Sequence, residues 1–105
     1  MPLFVSQHER REGVDRDEFG RAALNICRYA RSRDGVTSAR FYWANVDTVA
    51  ITVAADVGAD WGLMSGSNPD GAKASFRLSD LARQVSSEVW NDAGPGEQMY
   101  LSTMP

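Results

Sequence analysis

His8 is the single histidine in this 105-residue chain, and histidine is the side chain whose ordinary pKa lies nearest neutrality. It can take or give a proton without first being perturbed, so acid–base chemistry would begin there. Arg40, Tyr42 and Thr52 fall in the most strand-like stretch of the chain, and Trp61 and Tyr100 follow in later segments. A histidine base, an arginine to hold an anionic oxygen and a tyrosine donor suit proton abstraction or oxygen chemistry on an aromatic or enolic substrate. Trp61 sits in the glycine-rich run VGADWGLMSGSNPDG, where it could act as a lid on a pocket or plug the end of a barrel. His8 is therefore the candidate catalytic base, and Arg40, Tyr42, Thr52, Trp61 and Tyr100 are the candidate substrate-binding residues. The competing reading leaves His8 as a strand-end histidine, in solvent or across a dimer seam.

Other chemistries find fewer residues to work with. Cys27 lies beside an apolar helical stripe with no histidine near it in sequence, the setting of a buried, inert thiol. One cysteine excludes an internal disulfide and fits a reducing compartment. One cysteine and one histidine leave a Cys/His metal site without ligands, and nothing beyond His8 supports haem, so neither a metal nor a cofactor is expected. GSNPDG has glycines but not the spacing or the Lys-Thr ending of a phosphate loop. Eleven basic and fourteen acidic residues give a net charge of −3, with basic clusters only at Arg10–Arg11 and Arg28/Arg31/Arg33, which argues against a nucleic-acid partner. No apolar run approaches the roughly 20 residues of a membrane span. The first residues lack the basic and apolar regions of a secretory signal, and the expectation is a cytoplasmic protein.

The elements that must position these residues centre on TSARFYWANVDTVAITVAAD, Thr37 to Asp56. Residues 37–44 and 48–55 are rich in β-branched and aromatic side chains, and Asn45, Val46 and Asp47 break them, which predicts an antiparallel hairpin. Alternation puts Ala39, Phe41, Trp43, Val49, Ile51, Val53 and Ala55 on one apolar face. Arg40, Tyr42 and Thr52 fall on the other, which is small and polar. A first strand over residues 3–8 turns Leu3, Val5 and Gln7 one way and Phe4, Ser6 and His8 the other. Glu9 to Val14 then forms a charged loop bent at Gly13. Asp15 and Glu18 have the spacing of a capping box, and Phe19, Ala22, Ala23, Ile26 and Ala30 recur at helical spacing until Asp34–Gly35. After the glycine-rich run, residues 69–75 form either a short helix or a turn. Leu78, Leu81, Ala82, Val85 and Val89 predict a second helix over Phe76–Asn91, ended by Ala93-Gly94-Pro95-Gly96. Residues 97–104 read as the last strand.

The order is β-α-β-β-α-β in one domain spanning 1–105, an α+β, ferredoxin-like arrangement with an antiparallel sheet and both helices on one face. The other face would carry Phe4, Tyr42, Ala50, Ala54 and Tyr100, too apolar to stay wet, so a second copy of the sheet should cover it in a homodimer. His8 is assigned to that second face too, in a cavity with Arg40, Tyr42, Thr52 and Tyr100. The element order and the acidic helix start GVDRDEF after the first strand resemble the dimeric α/β-barrel superfamily, which includes EthD-like and antibiotic-biosynthesis-monooxygenase-like families. The resemblance covers most of the chain and rests on pattern rather than on a motif. It implies a dimeric α/β barrel, and its members include cofactor-free oxygenases, isomerases, cyclases, haem-binding enzymes and stress proteins. The tryptophan and histidine that EthD-like members carry along the first helix have no counterpart in RAALNICRYARSR, and the Asn/Trp/His set of haem-degrading members is absent too. The function expected is binding of a small aromatic or hydrophobic molecule, with cofactor-independent monooxygenase, isomerase or cyclase activity through His8. The alternative is a non-enzymatic interaction module that uses the second sheet face only to dimerise.

Overall fold

The computed structural model describes residues 2–56 and 69–90. Within them the chain runs β1 (Leu3–Arg10), α1 (Arg16–Arg31), β2 (Val36–Asn45), β3 (Thr48–Ala55), α2 (Pro69–Leu81) and β4 (Ala82–Trp90). The four strands form one antiparallel sheet in the order β2-β3-β1-β4, and the chain has the ferredoxin-like α+β fold expected of it.

Local chemistry accounts for the first three strands and the first helix. Asp15 caps α1 by accepting a hydrogen bond from the Glu18 backbone N–H at 3.2 Å, and Asp17 and Glu18 add negative charge where the helix dipole favours it. Gly13 and Gly35 take φ values of 82° and 87°, the left-handed region that glycine enters without a Cβ penalty, at the bend before α1 and the turn after it. The hairpin closes through an Asx turn in which Asn45 Oδ1 accepts from the Asp47 N–H at 2.9 Å.

The second helix and the last strand depart from the expectation. The helix predicted over Phe76–Asn91 starts earlier, at Pro69, and stops at Leu81, and residues 82–90 are strand β4. The cause lies in the spacing of Val85 and Val89: four residues fit the helical period and also the period of two. The run Arg83-Gln84-Val85-Ser86-Ser87-Glu88-Val89-Trp90 gains the pairing groups of β1, which a helix could not supply. At the junction the Arg11 N–H bonds the Leu81 carbonyl at 2.9 Å, and Arg11 Nε bonds the Ser79 carbonyl at 3.1 Å, so the helix end is stitched to the end of β1. Val85 is the extra residue of a bulge, because Gln7 pairs with Ser86 and His8 with Gln84. The strand predicted at 97–104, the stop at 93–96 and the loop carrying Trp61 lie outside the described residues.

Both helices cover one face of the sheet. Phe19, Ala22, Ala23, Ile26, Cys27 and Ala30 of α1 and Leu78 and Leu81 of α2 are buried against Ala39, Val49, Ile51, Val53 and Ala55. The Phe19 ring meets Trp43 edge-on at 5.6 Å, and the Arg16 guanidinium lies 3.8 Å over the Trp43 ring, which makes Trp43 an anchor of the α1–β2 packing. On the reverse face Tyr42 and Trp90 are half-exposed, at 52% and 54%, while Val5 is buried. Among the described residues no helix is long and apolar enough to cross a membrane.

Candidate functional site

Residues directly opposite each other on neighbouring strands share a face, so the register decides where the predicted site residues point. His8 pairs with Val49, Ser6 with Ile51 and Phe4 with Val53. Those three partners are core residues under the helices, and Phe4, Ser6 and His8 therefore point into the helix-covered layer. Arg40 pairs with Thr52, and Thr52 with Val5; Tyr42 pairs with Ala50, and Ala50 with Gln7. These lie on the reverse face. The expected cavity shared by His8, Arg40, Tyr42 and Thr52 is thus corrected: the sheet itself separates the histidine from the other three. Phe4 likewise packs against the core rather than on the open face. Alternation divides β1 into two sets of similar polarity, and nothing in either set says which one the helices cover. Trp61 and Tyr100 lie outside the described residues.

On the helix side His8 opens into a cavity of about 190 Å³ between β1, β4 and α2. Phe4, Ile26, Ile51 and Leu78 give it apolar walls. Ser6 and His8 on β1, Gln84 and Ser87 on β4, and Ser75 and Ser79 on α2 give it polar ones. The four strand residues form two adjacent cross-strand pairs, Ser6 with Ser87 and His8 with Gln84. This block is out of character with the rest of the layer, since β2 and β3 present only Ala39, Phe41, Trp43 and apolar β3 residues to the helices. Of the six polar side chains only His8 is buried; Ser6 and Ser75 are half-buried, and Ser79, Gln84 and Ser87 are exposed along the open rim of the cavity, so burial singles out the histidine alone. Among the described residues no Asp, Glu, Lys or Arg lines it.

His8 is 8% exposed, and burial pushes its pKa down from 6.5 to about 4, because the cationic imidazolium loses its hydration there. The ring is neutral at physiological pH. Its Nε2 lies 2.9 Å from Ser6 Oγ. With the proton on Nδ1, Nε2 accepts the hydrogen bond that the Ser6 hydroxyl donates, so the lone pair a base needs points at the cavity wall where Ser6 stands. The arrangement offers a neutral base, a hydroxyl that can pass a proton to it, and further donors in Gln84, Ser75, Ser79 and Ser87. Among the described residues no cluster of His, Cys, Asp and Glu could hold a metal ion. Cys27 is fully buried in α1, and burial pushes its thiol pKa up against the opposing pull of the Arg31 guanidinium, which keeps it protonated.

Sequence reasoning alone misses Ser75, Ser79, Gln84 and Ser87, and it sets Ser6 beside His8 without a role. The serines on α2 have no face until the helix that carries them is fixed. Gln84 and Ser87 fall in the stretch whose spacing predicts a helix instead of a strand. The usable signal is the alternation Phe4-x-Ser6-x-His8, once its face is known.

No family model and no curated protein matches the chain. Solved structures do. SnoaB, a cofactor-independent oxygenase from Streptomyces nogalater, superposes with a TM-score of 0.67 at 14% identity over 87% of this chain and 91% of that one. A candidate antibiotic biosynthesis monooxygenase from Nitrosomonas europaea gives 0.69 at 6% identity, over 88% and 98%. Rv0793 from Mycobacterium tuberculosis gives 0.60 at 15% identity, over 88% and 95%. At these identities the likeness is one of fold: the chain shares the ferredoxin-like α+β fold of these structures.

Proposed function

We propose that the chain is a cofactor-independent oxygenase that takes a small, neutral, hydroxylated aromatic molecule into the cavity between α2 and strands β1 and β4. The observation that carries this reading is the neutral His8 ring in an apolar-walled cavity with hydroxyl donors around it. The fold held in common with a cofactor-independent oxygenase supports the same class of reaction. His8 takes the ring hydroxyl proton, directly or through Ser6, and the electron-rich phenolate that results is the reductant for dioxygen. The pKa of about 4 belongs to the empty cavity. A phenolate formed against the imidazolium would restore much of its basicity, because an opposite charge within about 4–6 Å favours the charged form. A charged substrate is disfavoured, since among the described residues no countercharge lines the walls.

Arg40, Tyr42 and Thr52 belong in this proposal to a dimer seam. The reverse face carries the half-exposed Tyr42 and Trp90 and the partly buried Leu3, and a second copy of the same face would cover them. A cytoplasmic setting accords with the free thiol of Cys27. The second reading, an interaction module without catalysis, draws on the half-exposed Tyr42 and Trp90 alone.

The test is dioxygen uptake with a panel of one- and two-ring phenols, hydroquinones and naphthols. The proposal expects uptake with at least one of them and a fall of about 10²-fold or more in His8→Ala, the usual scale of a lost general base. Uptake that survives in His8→Ala, or none across the panel, would lead to its abandonment.

A further inference from the structure

The Ser6–His8 pair has the makings of a second chemistry that oxygenation does not use. A hydroxyl and an unprotonated imidazole within about 2.6–3.2 Å are the diagnostic spacing of an activated nucleophile, and Ser6 Oγ and His8 Nε2 are 2.9 Å apart. They sit two residues apart on one strand and face the same cavity, so the backbone of β1 fixes their separation. Burial holds the imidazole in its basic form at neutral pH. Two side chains that carry N–H or O–H donors neighbour the pair by register. Ser87 stands directly opposite Ser6 and Gln84 directly opposite His8, with pairs of this kind spaced about 4.5–5.5 Å between Cβ atoms. Phe4, Ile26, Ile51 and Leu78 give the cavity an apolar side that suits an aryl group, and among the described residues no charged side chain lines it to hold a free acid.

We propose that this cavity hydrolyses small uncharged aryl esters, with Ser6 as nucleophile and His8 as general base. Ser6 Oγ bonds the ester carbonyl carbon while its proton passes to His8 Nε2, and the carbonyl π pair moves onto oxygen beside Gln84 and Ser87. The tetrahedral species collapses, the C–O bond to the aryl group breaks, and the departing phenol takes the proton from Nε2. Water then attacks the acyl-Ser6 carbonyl, His8 takes its proton, and Ser6 regains it as the carboxylic acid leaves. The net reaction is ester plus water to acid plus phenol, with no oxidant. The proposal uses the same cavity as the oxygenase reading and does not depend on it.

The test is covalent trapping. The wild-type protein is treated with an aryl fluorophosphonate, the labelled residue is located by peptide mass spectrometry, and hydrolysis of p-nitrophenyl acetate is followed in wild type, Ser6→Ala and His8→Gln. The expected result is one label, on Ser6, with turnover at the buffer rate in Ser6→Ala and about 10²-fold slower in His8→Gln. Labelling elsewhere, no labelling, or unchanged turnover in Ser6→Ala overturns the proposal. The trapping is read on wild type, so it stands whether or not a variant folds. Ester turnover without dioxygen uptake would remove the oxygenase reading alone, and uptake without labelling would remove only this one.

Discussion

If His8 is buried as a neutral ring, acid should destabilise the protein through that residue by an amount that can be isolated. In the unfolded chain the imidazole takes a proton near its ordinary 6.5; in the folded chain it resists until about 4. Between those values the unfolded state binds more protons, so stability falls as pH drops and the loss is complete below the lower one. The separation is about 2.5 pH units, each worth about 1.36 kcal/mol, so the whole contribution is roughly 3 kcal/mol. From pH 7.5 to pH 5.0 about 2 kcal/mol of it should go. Urea unfolding followed by tryptophan fluorescence at both pH values, in wild type and in His8→Gln, isolates the effect. Carboxylates titrate equally in the two proteins, and only the wild type has an imidazole to charge. Wild type should therefore lose about 2 kcal/mol more than the variant over that interval. Equal losses would refute the burial argument, and with it the claim that His8 is an unprotonated base at neutral pH.

Other perturbations report on the frame that holds the cavity. Phe19→Ala removes a fully buried ring from under Trp43 and should cost about 3–5 kcal/mol by chemical denaturation. Asp15→Ala removes the cap of α1 and should cost about 1 kcal/mol, most of it regained in Asp15→Ser. Sedimentation at micromolar concentration should show a dimer for the wild type and a folded monomer for Trp90→Glu, because a charge placed on the proposed seam would be buried without a partner. A wild-type monomer would remove the seam assigned to Arg40, Tyr42 and Thr52.

The parts of this molecule legible in the sequence are those that short-range chemistry dictates. The capped helix, its stripe from Phe19 to Ala30 and the hairpin around Asn45–Asp47 follow from caps, turn residues and periodicity, and the structure has them where those signals fall. The fold class follows too, because the element order survives an error in where the last two elements divide. The candidate site is less legible. His8 stands out by its chemistry, yet its neighbours come from pairing between distant strands. Whether β1 turns His8 or Gln7 toward the helices is fixed by its register with Val49 and Ala50, which no local pattern encodes. Gln84 and Ser87 are hidden by the ambiguous spacing of Val85 and Val89, and their role follows only once β4 lies beside β1.

The central claim is that ligand enters the helix-side cavity against His8 rather than the open sheet face. Because the sequence holds a single histidine, its ring protons can be followed by NMR without ambiguity. A titration with 1-naphthol, a neutral two-ring hydroxyaromatic, should shift the His8 ring signals saturably and leave the Tyr42 and Trp90 ring signals unchanged. Unmoved His8 signals, with Tyr42 and Trp90 shifting in their place, would contradict the account.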